Sequence, residues 1–574
     1  MSHLELALKG RLRAAIEAAF GPEHKDTDPL LRRSDRADFQ ANVAMSLGKV
    51  LRRAPREVAQ ALVERLELGG VCEKAEIAGP GFINLTVSAE ALADSVAQMA
   101  SDLKLGVPPR DKPDVVVIDY GGPNIAKEMH VGHLRSAIIG DSLARVLEFC
   151  GQHVLRQNHI GDWGTPFGML IEHLIDVKRE SNASELSIGE LGDFYRAARA
   201  KFDANPEFAD RSRARVVSLQ AGDAATLELW RTFVQSSKRY MEAVFERLSV
   251  KLTDADVRGE SFFNDQLASV ADELEARGLA SLNDGALCIF PPGFQSREGE
   301  PLPLILRKQD GGFGYAATDL AAIRFRVGTL RGTRLLYVVS AQQQQHFAMV
   351  FEAAKMAGFL PSTVRAEHVA FGNVLGDDRK ILKSRAGYAL RLIDLLDEAV
   401  ARAERAIAEK NPELNSEECA LVARQVGIGA VKYADLSSDR NKDYVFEWER
   451  MLAFEGNTGP YLQYAHARIR SIFRKAGQNA PGALKITEPV ERALCLELLS
   501  FARVLSDVEE LLQPHKLCGY LYELAARFTS FYDACPVLKA ADAQRASRLA
   551  LCELTARTLA TGLNLLGIAA PERM

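Results

Sequence analysis

The segment Val115–Cys150, VVVIDYGGPNIAKEMHVGHLRSAIIGDSLARVLEFC, leaves the chain few folds to choose from. Val115–Tyr120 is rich in β-branched residues and has the length of a buried strand. Gly121-Gly122-Pro123-Asn124 interrupts it and reads as a loop. From Gly132 onward Ile139, Leu143, Val146, Leu147 and Cys150 recur at helical spacing, and Gly151 is a stop signal. The next stretch, HVLRQNHIGDWGTPFG, supplies a second strand that runs into a loop at His159–Gly168. Strand, helix and strand over this length imply a right-handed parallel crossover, the half-unit of a nucleotide-binding sheet. Such sheets take ligands off the carboxyl ends of their strands.

The loop and helix start suit a phosphate. A helix start exposes unpaired N–H groups at the positive end of a dipole. His130 and His133 are three apart, so they share a face and add two donors. Lys127 reaches the same place, and Gly132 lets a flat ligand approach the backbone. By itself, an H-x-x-H is also compatible with a βα unit that carries surface histidines.

At 574 residues the chain exceeds one core and predicts three or four domains. Its net charge of -5 gives no global nucleic-acid signal, so an RNA partner would have to meet local basic patches. None of the eight cysteines has C-x-x-C spacing, which predicts neither zinc nor a redox dithiol and suits a reduced, cytoplasmic protein. No apolar run approaches membrane length. The amphipathic N-terminus, MSHLELALKGRLRAAIEAAF, reads as a helix and not as a signal peptide.

PNIAKEMHVGHLRS resembles the HIGH motif of class I aminoacyl-tRNA synthetases, and its longer form, with Pro-Asn and a lysine upstream, that of the arginyl-tRNA synthetases. The resemblance covers essentially the whole chain. It implies a multidomain α/β protein with a Rossmann-type parallel-sheet catalytic domain at 106–390, interrupted by an insertion at about 170–300 that meets the tRNA acceptor end. A small N-terminal α/β domain at 1–105 would contact the tRNA D-loop, and an all-α helical bundle at 391–574 would bind the anticodon. The implied reaction is ATP-dependent activation of L-arginine to arginyl-adenylate, then transfer to the 2′-OH of the terminal adenosine of tRNA-Arg. ATP would come with Mg²⁺ and without a protein-held metal. Activation would depend on bound tRNA, and the protein would be a monomer.

The resemblance also implies roles residue by residue. Pro123, Lys127, His130, Gly132, His133, His368 and Ser384 match ATP contacts, and Lys127, His130, His133, Lys383 and Arg385 the catalytic set. The loop Leu382-Lys383-Ser384-Arg385 stands where the class has KMSK; its last lysine is replaced by Arg385, for which Lys127 is held to compensate. Tyr315 and Asp319, four apart and so on one helical face, would meet the substrate arginine with Asp119, Asn124 and Gln343. On spacing alone, Asp319 reads sooner as a helix-start residue in a salt bridge. His346 completes the family's Gln-x-x-His pattern.

For tRNA, Phe82 and Asn84 pair an aromatic with an amide, which suits an unstacked base, although strand-edge duty explains them too. Tyr461, Tyr464 and Arg468 fall on one helical stripe that fits either bases and phosphates or an interhelical seam. Tyr461, Tyr464, Tyr532 and Met574 match positions near the anticodon in relatives. Two other readings remain: an RNA-binding synthetase paralogue without aminoacylation activity, and a small-molecule nucleotidyltransferase or ligase on the same fold.

Overall fold

The computed structural model describes residues 3–34, 36–180, 191–376, 378–382, 390–411, 414–477 and 480–574. Helix His3–Phe20 buries Leu8, Leu12 and Ile16 in a core shared with a four-stranded antiparallel sheet. Its strands are β1 (Leu31–Arg33), β2 (Phe39–Ala41), β3 (Cys72–Ala78) and β4 (Phe82–Val87), in the order β1-β2-β4-β3. The alternation in GFINLTVS predicts β4, where Ile83, Leu85 and Val87 are buried while Phe82, Asn84 and Thr86 are half-buried on the other face. The sequence pattern does not predict the other three. Two of them span three residues, too short for an alternation to show.

β5 (Val115–Asp119) leads through helix Val131–Phe149 to the parallel strand β6 (His153–Gln157). A helical insertion follows, with helices Thr165–Glu180, Leu191–Ala204, Pro206–Gln220, Ala224–Arg247 and Asn264–Ala276. A small antiparallel sheet then forms from β7 (Ala280–Asn283), β8 (Ala286–Ile289) and β9 (Leu304–Arg307). The parallel sheet resumes with β10 (Arg334–Tyr337), helix Gln344–Met356 and β11 (Arg365–His368). Its order is β11-β10-β5-β6, so the two βαβ halves meet at β5 and β10. That meeting point is the switch point at which a doubly wound sheet opens a crevice.

The sequence pattern predicts one strand over His368–Leu375. The structure breaks it. β11 ends at His368, and β12 (Val374–Leu375) pairs instead with β13 (Tyr444–Val445) from the helical region. Gly372 explains the break: its N–H donates to the Arg440 carbonyl at 2.9 Å, and a Cβ there would lie 2.7 Å from the Lys442 carbonyl. The loop at 439–446 thus lies along the chain that leaves the sheet.

Apart from β13, the elements of the C-terminal part are helices, from Leu392–Lys410 and Ser416–Leu436 to Asp542–Leu565. Arg135, in the helix after β5, joins it to the parallel sheet. Its Nε donates to Asp435 at 3.2 Å and its Nη1 to the Lys442 carbonyl at 3.0 Å, both ionic side chains being buried. Burial pushes the Asp435 carboxyl up, and the Arg135 charge opposes that. Such a pair is costly to break because the survivor is left charged in the interior. Asp435→Ala is expected to destabilise the protein by about 3–5 kcal/mol, read as a lower unfolding midpoint.

Among the described residues no helix is long and apolar enough to cross a membrane. All eight cysteines are free thiols.

Candidate active site

Two cavities open side by side over the carboxyl ends of β5 and β10, of about 460 and 430 Å³. They share Gly122, Asn124, Ser136, Val339 and Gln343.

The first lies over the start of helix Val131–Phe149, and the two histidines build that start. His130 is the N-cap: its Nδ1 accepts from the Gly132 N–H at 3.1 Å, while His133 Nδ1 accepts from the His130 N–H at 3.1 Å. This is a capping box made of imidazoles. Because each Nδ1 accepts, each neutral ring carries its proton on Nε2, its remaining donor at the cavity wall. Burial, reinforced by the nearby Lys127 charge, lowers His130 to about 4. Burial, His130 and Lys127 lower His133 to about 3. Both are neutral donors at neutral pH, not cations. Lys127 lines the same cavity and has no carboxylate partner among the described residues.

Gly132 lines this cavity and has a further duty beside the expected one of admitting a ligand. A Cβ there would sit 2.8 Å from His130 Cε1, so the glycine makes room for the capping ring. Gly132→Ala is expected to displace His130 and slow the reaction about tenfold, or ~1.4 kcal/mol of barrier, with the unfolding midpoint nearly unchanged. Steady-state rates beside a thermal melt check it.

The opposite wall is Phe371, Gly372, Asn373 and Val374. Pro123 and His368, expected at ATP, do not line the cavity. Pro123 is buried, with its carbonyl accepting from the Gly161 N–H at 3.0 Å. His368 stacks on Phe347 and bonds through Nε2 to the Val339 carbonyl at 3.1 Å. Both hold the wall from behind. Lys383, Ser384 and Arg385 lie outside the described residues.

The second cavity is acidic. Asp119, Glu260 and Asp319 line it together with Asn124, His159, Tyr315, Gln343 and His346. Two of the carboxylates already have partners. Asp119 Oδ2 accepts from the buried Arg326 at 2.7 Å and Oδ1 from the His159 N–H at 3.1 Å. Asp319 Oδ2 lies 2.6 Å from His346 Nε2. Burial disfavours the His346 cation, but the Asp319 bond and charge outweigh it and hold that imidazole above its ordinary value. Glu260 has no cationic partner among the described residues. Burial first, then Asp162 and Asp319, push its carboxyl up to about 8. The spacing of Tyr315 and Asp319 is borne out as a shared helical face on this cavity. Glu260 was not foreseen. It lies in the insertion, and no local pattern in RGESFF sets it apart.

The expected tRNA residues sit far from these cavities. Asn84 accepts from Gln40 at 2.9 Å, with Phe82 on the same half-exposed face. Tyr464 and Met574 line a third cavity of about 340 Å³ with Arg468, Arg474 and Arg573. The Arg468 guanidinium covers the Tyr532 ring at 4.8 Å. Tyr461 is half-buried against Tyr522, ring centroids 5.7 Å apart, and does not line that cavity.

Comparison with known proteins bears on all of this at once. Residues 6–87 match the arginyl tRNA synthetase N terminal domain, residues 96–448 the catalytic domain of class I (R) tRNA synthetases, and residues 462–574 the DALR anticodon binding domain. The chain is 55% identical to an arginine–tRNA ligase of Thermobifida fusca over the whole of both chains. It is 50% identical to that of Laribacter hongkongensis over 99% of each. It superposes on the arginyl-tRNA synthetase of Plasmodium falciparum with a TM-score of 0.86 at 28% identity, covering all of both chains. For the Thermus thermophilus arginyl-tRNA synthetase the TM-score is 0.80 at 28% identity, over 99% of this chain and all of that one.

Proposed function

The chain belongs to the arginyl-tRNA synthetase family and esterifies tRNA with arginine, and on that premise we propose how its residues divide the reaction. The observation that carries the proposal is the pair of adjoining cavities with opposite character. One presents Lys127, a helix start and two imidazole N–H donors, which suits the phosphates of ATP. The other presents three carboxylates, which suits a guanidinium.

ATP enters the first cavity, and the Mg²⁺ expected to accompany it would supply charge screening at the phosphates without a dedicated protein site. His130 and His133 donate from Nε2 to the phosphates, and Lys127 neutralises charge as it builds on the pentacovalent α-phosphate and the departing pyrophosphate. Pro123 and His368 keep the wall in place. Lys383, Ser384 and Arg385 hold the leaving pyrophosphate. Arginine lies in the second cavity with its guanidinium towards Glu260, Asp319 and Tyr315. Its carboxylate reaches the shared boundary, where Asn124 and Gln343 aim it at the α-phosphorus. Asp119, held by Arg326, acts as a fixed negative wall. Catalysis is then alignment and charge stabilisation of an in-line displacement, with no covalent enzyme intermediate.

The N-terminal region, 1–105, meets the tRNA D-loop through Phe82 and Asn84, and the insertion meets the acceptor end. The bundle, 391–574, reads the anticodon through Tyr464, Tyr532 and Met574, with Tyr461 shaping the site from below. The enzyme works as a cytoplasmic monomer.

Glu260 and His346 give this reading a pH test. Arginine binds the ionised Glu260 and displaces His346 from Asp319, so it expels protons from both. As pH rises from 6 towards 8, more Glu260 is ionised and less His346 is protonated, and both changes favour arginine. Arginine affinity is expected to rise over this range, and its calorimetric heat to depend on the ionisation enthalpy of the buffer. A pH-independent affinity would remove Glu260 from the arginine site.

A further inference from the structure

Glu260 faces the acidic cavity as the first residue of the short 3₁₀ turn Glu260–Phe263, which is a poor way to fix a recognition group unless something else holds it. What holds it is the loop after β6. Asp162 in that loop is buried, does not line the cavity, and grips the turn. Oδ1 accepts from the Ser261 N–H at 2.9 Å, and Oδ2 accepts from the Ser261 hydroxyl at 2.5 Å. On the other side of Glu260, a Cβ on Gly259 would lie 2.5 Å from Asp162 Oδ2, so the turn has the one residue that admits the carboxylate.

The backbone is laced the same way. The Glu260 N–H donates to the Ile160 carbonyl at 3.1 Å, the Arg258 N–H to the Asn158 carbonyl at 3.0 Å, and the Asn158 N–H to the Asp256 carbonyl at 2.9 Å. The backbone N–H of Trp163 also favours the ionised Glu260 carboxylate against the effect of burial. Asp162 is fixed in turn by the insertion: Trp230 Nε1 donates to its carbonyl at 2.7 Å, and the Trp230 ring meets Trp163 edge-on at 5.3 Å. A loop of the parallel sheet therefore holds Glu260 by its backbone and by the neighbouring Ser261.

We propose that Asp162 is a positioning residue for arginine recognition: by clamping Gly259 and Ser261 it sets the Glu260 carboxylate opposite Asp319. This rests on the acidic cavity being the arginine site. Asp162 touches no substrate. Its effect is transmitted through the turn and reaches arginine and not ATP, because Glu260 lines the second cavity and not the first.

The test compares Asp162→Ala, Asp162→Asn, Ser261→Ala and Glu260→Gln in arginine-dependent ATP–pyrophosphate exchange with tRNA present, varying arginine and ATP separately. Asp162→Ala is expected to raise the arginine KM about tenfold, a lost 1.4 kcal/mol or so of binding, with the ATP KM within about twofold. Asp162→Asn keeps an acceptor for the Ser261 N–H and should restore the arginine KM to within about threefold of the parent. Ser261→Ala, which loses only the hydroxyl bond, should fall between the two and covers the case that Asp162→Ala does not fold. Selectivity for arginine over citrulline, its uncharged isostere, should fall in step with the arginine KM. Three results would overturn the inference: an unchanged arginine KM in both Asp162→Ala and Ser261→Ala, equal loss in the alanine and asparagine variants, or parallel rises in both KM values. If Glu260→Gln also leaves arginine binding intact, the arginine-site reading has failed; if Glu260→Gln weakens it and Asp162→Ala does not, only the positioning role has.

Discussion

Lys127→Ala is expected to lower the turnover of arginine-dependent ATP–pyrophosphate exchange by about 10²–10³-fold, the loss seen when one preorganised transition-state donor is removed. The arginine KM should stay within about threefold. The reason is the charge inventory of the ATP cavity. Its histidines are neutral, held by burial far below their ordinary range. Its arginine, Arg135, is paired with Asp435. That leaves Lys127 as the lining cation with no carboxylate partner among the described residues. Charge that builds only in the transition state is met by a group whose removal lowers turnover more than ground-state binding. Pre-steady-state quench-flow with saturating arginine and ATP separates this chemical step from release. A turnover within threefold of the parent would return Lys127 to a solvated loop.

The second large effect is on arginine. Asp319→Ala is expected to raise the arginine KM by about 10²-fold, since a charge-assisted bond to a guanidinium contributes roughly 1.5–3 kcal/mol and the substitution also releases His346. The ATP KM should move by less than about twofold, because Asp319 lines only the second cavity. The sequence leaves open a bland salt-bridge role for this residue, and the structure does pair it, with His346 at 2.6 Å. The two are compatible: His346 occupies the carboxylate that a guanidinium then takes over. An unchanged arginine KM would make the His346 pair purely structural.

What the sequence made legible depended on how local each signal is. The βα unit at Val115–Cys150 and the histidines at its helix start were readable because strand run, loop and helical spacing all lie within 36 consecutive residues. The imidazole capping box was not, since it depends on which ring nitrogen faces which N–H. Tyr315 and Asp319 were readable because helical periodicity alone puts them on one face. Glu260 was invisible for the opposite reason. It reaches the site through a backbone ladder to Asn158–Ile160 and a clamp by Asp162, contacts about 100 residues away in sequence. The same holds for the broken strand after His368, where the register is set by Lys442 and Asp443 of the helical region and not by the local β-pattern. Asp119 was placed at the arginine site, but no sequence pattern announced that Arg326, 207 residues away, already holds one of its oxygens.

Arginine specificity rests on the acidic cavity being shaped for arginine beside an ATP site. ATP–pyrophosphate exchange across the twenty amino acids, with and without tRNA-Arg, tests that directly. Exchange should appear with arginine, in the presence of tRNA-Arg, and with no other amino acid. Exchange driven by a different amino acid, or none with arginine and tRNA-Arg together, would contradict it.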